Sequence, residues 1–244
     1  MSNVPTPEAI SSSSWVIQHR PQSAAPMAWL DILDDCDVRA ARERTTDAAR
    51  HRFLERRVLL RRALSAMTQV PVAPHAWRFE RLETGQFALA PRFRNCGLRF
   101  SLADAGTVSL VSVAHNGAIG ADIEKISQPH VRYSDIAAAL SPREEEHFKN
   151  DATASLTSDH LKIWSIKEAY SKQLGRGCDL DFADLEVTLD PPSVAGSMAQ
   201  VTTREICIGT ETYFVAVASA GATAAPSPTH PVTFLRSLED SNAP

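Results

Sequence analysis

Apolar positions follow two periods along this chain, and the change from one to the other marks out its elements. Phe53, Leu54, Val58, Leu60, Ala63, Leu64 and Met67 recur at steps of three and four, the spacing of one helical face. They predict helix over residues 35–68, after a shorter one at 27–33, with Pro71 and Pro74 ending the stretch. Short β-prone runs are expected at 15–18, 77–80, 86–89 and 98–102. Two stronger ones, 108–114 and 118–124, are joined through Asn116-Gly117 and predict a hairpin. A short helix is expected at 133–140. Ser141-Pro142-Arg143-Glu144 then has the form of a capping box with proline in the first turn. A further helix opens at Ser158 or Asp159, runs through Leu161, Trp164, Ala169, Tyr170 and Leu174, and stops at Gly175. Strands of a second sheet are expected at 186–189, 198–201, 205–209 and 213–218. The order describes an α+β chain: a loose Pro/Ser-rich segment 1–14, an N-terminal half 15–117, a C-terminal half 118–222 and a flexible tail 223–244.

Composition removes several function classes. The chain has 244 residues, 43% hydrophobic and 22% charged, as in ordinary globular proteins. No apolar run approaches the roughly 18 residues of a membrane span, and the first residues lack the charge and apolar core of a signal peptide. Cys36, Cys96, Cys178 and Cys207 are scattered, with no C-x-x-C pair, so buried or half-buried reduced thiols and a cytoplasmic location are expected. No H-x-x-x-H, G-x-S-x-G or P-loop pattern is present.

Charge changes the picture more. The total is −4. Between Arg39 and Arg62, nine arginines face three acids, a surplus of six positive charges that leaves −10 for the remainder. Arg52 and Arg56 share one helical face, as do Arg57 and Arg61. Such a helix is either a solvated surface or a phosphate-binding one, because guanidinium forks match phosphate oxygens. No aromatic residues interleave the arginines, which disfavours nucleic acid.

In residues 118–124, Asp122 and Glu124 lie two apart on a strand, so both project from one face while Ala121 and Ile123 point to a core. Two carboxylates there either form ion pairs at a strand edge or hold a hard cation such as Mg²⁺. Downstream, in Trp164-Ser-Ile-Lys167-Glu168-Ala-Tyr-Ser-Lys172, Glu168 and Lys172 share a helical face, the spacing of an intrahelical ion pair. The two motifs in this order, about 40 residues apart, resemble the signature of the 4′-phosphopantetheinyl transferase superfamily. The W-x-x-K-E form is similar to its surfactin-synthetase-activating (Sfp-type) class. The likeness extends from Arg39 to Ala218 and includes His51-Arg52-Phe-Leu and Phe100-Ser-Leu.

The resemblance implies two similar α/β subdomains related by a pseudo-two-fold axis, with coenzyme A in the cleft between them. It implies Mg²⁺-dependent transfer of the 4′-phosphopantetheine arm to a serine of an acyl- or peptidyl-carrier protein, releasing adenosine 3′,5′-bisphosphate. Asp122, Glu124 and Glu168 would hold the metal, and Glu168 would take the serine proton. Lys172 and Lys167 would neutralise phosphate, and Arg52 would lie near the 3′-phosphate end. A monomer acting in polyketide, peptide or fatty-acid synthesis, without nucleic acid or membrane, would follow. The segment 125–133 is a candidate carrier-docking surface. The chain departs from the family twice: Ala103-Asp104 stands where relatives carry Ser-His, and Gly85-Gln86-Phe87 where many carry Gly-Lys-Pro. Asp104 in a phosphate pocket would repel its ligand unless a metal or an arginine screens it, and Arg92, Arg94 or Arg99 would have to supply the cation missing at Gln86. These departures leave open two other readings, a transferase-like protein that binds coenzyme A or a carrier without efficient transfer, and a plain interaction protein.

Overall fold

The computed structural model describes residues 11–19, 26–127, 133–148, 158–220, 230–235, 238 and 244. The chain opens with β1 (Ser11–Gln18), then α1 (Met27–Leu30), α2 (Asp35–Arg42) and α3 (Asp47–Met67). Five strands follow: β2 (Phe79–Arg81), β3 (Phe87–Leu89), β4 (Leu98–Ala105), β5 (Val108–His115) and β6 (Ile119–Lys125). After α4 (Tyr133–Ala137), α5 (Pro142–Phe148) and α6 (Ser158–Leu174) come β7 (Val187–Leu189), β8 (Pro192–Val194), β9 (Gln200–Ile208), β10 (Glu211–Ser219) and β11 (Val232–Leu235).

Two sheets carry the fold. One has the order β11-β1-β5-β4, the other β6-β10-β9. Period-two alternation sends each strand's residues to two different cores. From the first sheet, Trp15, Ile17, Phe100, Val111 and Val113 face α3. On its other side, Val16, Ala103, Val108 and Leu110 meet Ile119, Ala121, Ile123, Val215 and Val217 of the second sheet. Phe214, Ala216 and Ala218 then pack under Ile163, Ile166 and Ala169 of α6. The result is four layers, helix, sheet, sheet, helix. Ser101 Oγ of β4 accepts from the Ala121 N–H of β6 at 2.9 Å, joining the two sheets where they meet.

The expected hairpin across Asn116-Gly117 is not formed. β5 pairs with β1 and β4, and β6 pairs with β10. Asn116, at φ 62°, turns the chain from one sheet into the other, so the apolar faces of β5 and β6 bury against each other rather than lying side by side. The helix expected over 35–68 breaks into α2 and α3. Thr46 caps the second by accepting from the Ala49 N–H at 3.1 Å. The loose segment 1–14 is too long: β1 begins at Ser11 and pairs with β5 along its whole length. The flexible tail is also drawn too wide, because β11 adds to β1 in parallel and Leu238 is buried. Residues 1–10, 221–229 and most of 236–243, with the docking candidates 128–132, lie outside the described residues. Cys36, Cys96 and Cys207 are free, but Cys36 and Cys207 are exposed rather than buried. No helix is long and apolar enough to cross a membrane among the described residues.

Candidate functional site

β6 is a central supplier of chemistry because it is packed on both faces. Its inner face is Ile119, Ala121 and Ile123. On its outer face Gly120 lies directly beneath α6, where a Cβ would meet the Ala169 carbonyl and the Gln173 backbone, so only glycine allows this approach. That contact sets the next outward-facing residues, Asp122 and Glu124, against the same helix.

α6 answers with Glu168 and Lys172. Lys172 Nζ donates to Asp122 Oδ1 at 2.7 Å and lies 3.6 Å from Glu168 Oε2. Asp122 Oδ2 is buried and has no hydrogen-bond partner among the described residues. Burial raises the Glu124 carboxyl to about 8, and the charges of Asp122 and Glu168 push the same way. Lys172 and a hydrogen bond from Trp164 oppose them. Burial also raises Glu168 against the pull of Lys172. Lys172 is desolvated, yet Asp122 and Glu168 hold its pKa above the usual lysine value. Asp122, Glu124, Glu168 and Lys172 thus come together.

Among the described residues no group of three His, Cys, Asp or Glu side chains is closed around a position fit for a metal ion. The expected metal ligands instead face the Lys172 ammonium. Their donor chemistry still suits a hard cation: three carboxylates, one with a buried oxygen that nothing satisfies.

Lys167 does not join them. It is fully buried, and its ammonium donates to Glu144 Oε2 at 2.5 Å and to the Ala139 and Phe182 carbonyls at 2.7 and 2.9 Å. Burial lowers its pKa against the opposing charge of Glu144. The resemblance puts Lys167 on phosphate; the structure makes it a cross-brace. Glu144 closes the predicted capping box, accepting from the Ser141 N–H at 2.8 Å, and also accepts from the Val187 N–H at 2.7 Å.

Beside Lys172 lies a cavity of about 380 Å³. Thr84–Phe87 and Phe100–Leu102 line one side; Lys172, Gly175–Gly177 and Asp179 line the other. Gln86 therefore does reach the cavity, without a charge. Of the proposed substitutes, Arg94 and Arg99 line an adjoining cavity of about 320 Å³ that shares Gln86, Phe87 and Phe100, while Arg92 bonds the Ala76 carbonyl at 2.8 Å. Arg176 lines the first cavity and was not anticipated, because nothing in its local sequence marks it.

The arginine-rich helix splits by face. Arg52 and Arg56 line a pocket of about 190 Å³ with Arg44, Asp104 and Gly106. Arg57 and Arg61 turn inward instead. Arg61 is fully buried, with Nη2 2.6 Å from Asp37 and 2.7 Å from Asp34. Arg57 lies 3.7 Å over the Phe87 ring, and burial lowers it to about 10 despite Asp37. Asp104 is screened as the sequence required: it forms an ion pair with Arg56 and accepts from Ser109 Oγ.

Comparison with curated proteins returned no match. Residues 118–218, which contain the Asp122-Ile-Glu124 strand, α6 and nearly all of the second sheet, match the family model of the 4′-phosphopantetheinyl transferase superfamily.

Proposed function

We propose that the protein transfers the 4′-phosphopantetheine arm of coenzyme A to a serine of an acyl- or peptidyl-carrier protein, as a monomer of the surfactin-synthetase-activating class with two halves related by a pseudo-two-fold axis. The convergence of Asp122, Glu124, Glu168 and Lys172 beside a cavity walled by residues 84–102 and 172–179 carries this reading. The family match over residues 118–218 supports it.

In the transfer, the serine Oγ forms a bond to the phosphorus that carries the pantetheine arm. The bridging P–O bond of the pyrophosphate breaks, and adenosine 3′,5′-bisphosphate leaves with the electron pair. Asp122, Glu124 and Glu168 would hold Mg²⁺, which supplies charge neutralisation at pyrophosphate oxygens when bound. Glu168, its basicity raised by burial, would accept the serine proton. Lys172 would compensate charge on the leaving phosphate, and Arg52 would hold the nucleotide's far end.

The experiment is incubation with a panel of apo carrier proteins, coenzyme A and Mg²⁺, read by intact mass. The mass gain of one phosphopantetheine arm is expected on at least one carrier. Absence of that gain on every carrier overturns transfer. Asp104 in the arginine pocket favours a second reading, binding without efficient transfer. That reading predicts calorimetric binding of coenzyme A with no mass gain.

A further inference from the structure

Among the described residues, two cations line the cavity of about 380 Å³: Lys172 and Arg176. Lys172 is already compensated, because it donates to Asp122 at 2.7 Å and lies 3.6 Å from Glu168. Arg176 has no carboxylate within ion-pair distance among the described residues. Its Nη2 donates to the main-chain carbonyl of Asp179 at 3.3 Å, which leaves the charge unopposed. Asp179, the acid of this wall, is exposed, so water screens its carboxylate. An anion entering the cavity therefore meets one uncommitted charge, the Arg176 guanidinium.

The end of α6 holds the backbone under Arg176. Gly175, at φ 69°, takes the left-handed turn that stops the helix. Its N–H donates to the Lys172 carbonyl at 3.1 Å, and the Arg176 N–H donates to the Ser171 carbonyl at 3.2 Å. Ser171 Oγ donates to the Gly177 carbonyl at 2.5 Å, and the Asp179 N–H to the Arg176 carbonyl at 3.0 Å. The guanidinium is thus carried on a fixed base, four residues beyond Lys172 on the same wall.

Gln86 stands in the same corner of the cavity. A Cβ on Gly175 would lie 3.0 Å from Gln86 Oε1, so the amide packs against the residue that precedes Arg176. The arginines closer to Gln86 in sequence are bound to groups of their own. Arg94 pairs with Glu80 at 2.6 Å, while Arg92 and Arg99 each donate at 2.8 Å to a carbonyl, of Ala76 and Leu98. We propose that Arg176 binds the diphosphate of the donor, a cation moved from position 86 on one wall of the cavity to position 176 on the other. A guanidinium fork suits diphosphate oxygens, and Lys172 stands beside it on the same wall. This assignment rests on the reading of the cavity as the coenzyme A site.

The test is calorimetric binding of coenzyme A to the full chain, with Mg²⁺ and no carrier. The wild type is expected to bind, and Arg176→Gln to weaken binding by about tenfold or more. The melting temperature of that variant should not change, since the side chain is exposed and makes one long bond to a carbonyl. Gln86→Lys separates a shared site from a general charge effect. Added to Arg176→Gln it should restore affinity to within about threefold of the wild type, while alone it should change affinity by less than about threefold. Arg176→Met serves if the Gln variant fails to fold. The proposal is overturned by a smaller loss in Arg176→Gln, by an equal effect of Gln86→Lys in both backgrounds, or by no binding of coenzyme A up to about 1 mM. If the binding results hold and no carrier gains mass, transfer fails and the Arg176 assignment stands. If carriers gain mass while Arg176→Gln binds as the wild type does, transfer stands and the assignment fails.

Discussion

Lys167 and Lys172 lie on the same helix and do opposite work. Five residues turn an α-helix well past one revolution, so the two ammoniums leave on different faces. Lys167 braces α5 through Glu144, and Lys172 reaches β6. Removing the first charge strands the second: Lys167→Met leaves Glu144 buried without its cation and is expected to cost about 3–5 kcal/mol in urea unfolding. A loss under about 1 kcal/mol would contradict the brace. Glu168→Gln should act on rate instead, lowering kcat at least about 100-fold with an unchanged melting temperature. The sequence motif displayed both lysines but not their directions. A signal was available: Lys167 sits four residues after Ile163, inside the apolar stripe of α6, where a lysine needs a buried acceptor. For His19 and Glu55, 36 positions apart, no local pattern existed, so their buried contact was invisible.

At the scale of elements, the site depends on how closely α6 approaches β6. Gly120 permits that approach, and Gly120→Ala is expected to lower stability by about 1–3 kcal/mol, because the α6 backbone at Ala169 and Gln173 must move. An unchanged denaturation midpoint would show that α6 adjusts freely. Periodicity located α6, α5 and β10 well, since each has one apolar face, but divided the single strand β9 into two runs, 198–201 and 205–209. It misassigned the 108–124 pair because two apolar strands joined by Asn-Gly look the same whether they lie edge to edge or face to face. What decides is that both runs are buried on an inner face, a property of the other strands present. The α3 arginines carry the same lesson. Arg57 and Arg61 are bound within the N-terminal core by Asp37, Asp34 and the phenylalanine rings, while Arg52 and Arg56 line a separate pocket in which Arg56 is already paired with Asp104.

At the scale of the molecule, the described ends of the chain close on one another. β11 pairs with β1, and His230 accepts or donates 2.6 Å bonds to Ser12 and Ser14. Burial lowers His230 to about 4 in the folded state, from about 6.5 when unfolded. As pH falls below 6.5, the unfolded chain takes up the proton first. His230 therefore contributes full stability above that value and loses it between about 6.5 and 4. A melting temperature that falls over this window, and falls less in His230→Phe, is expected; identical pH profiles would remove His230 as the cause. Net charge also gains meaning at this scale. Part of the positive surplus of α2 and α3 is spent inside the protein, and another part lines one small pocket far in sequence from the carboxylates of β6 and α6.

The most direct test of the β6–α6 site is an intact-mass time course of a modified carrier protein, with wild type and Glu168→Gln side by side at equal folded concentration. The expected result is one phosphopantetheine mass increment per carrier with the wild type and at least about a hundredfold slower increment with the variant. Equal rates for the two proteins, or no increment with the wild type on any carrier, would contradict it.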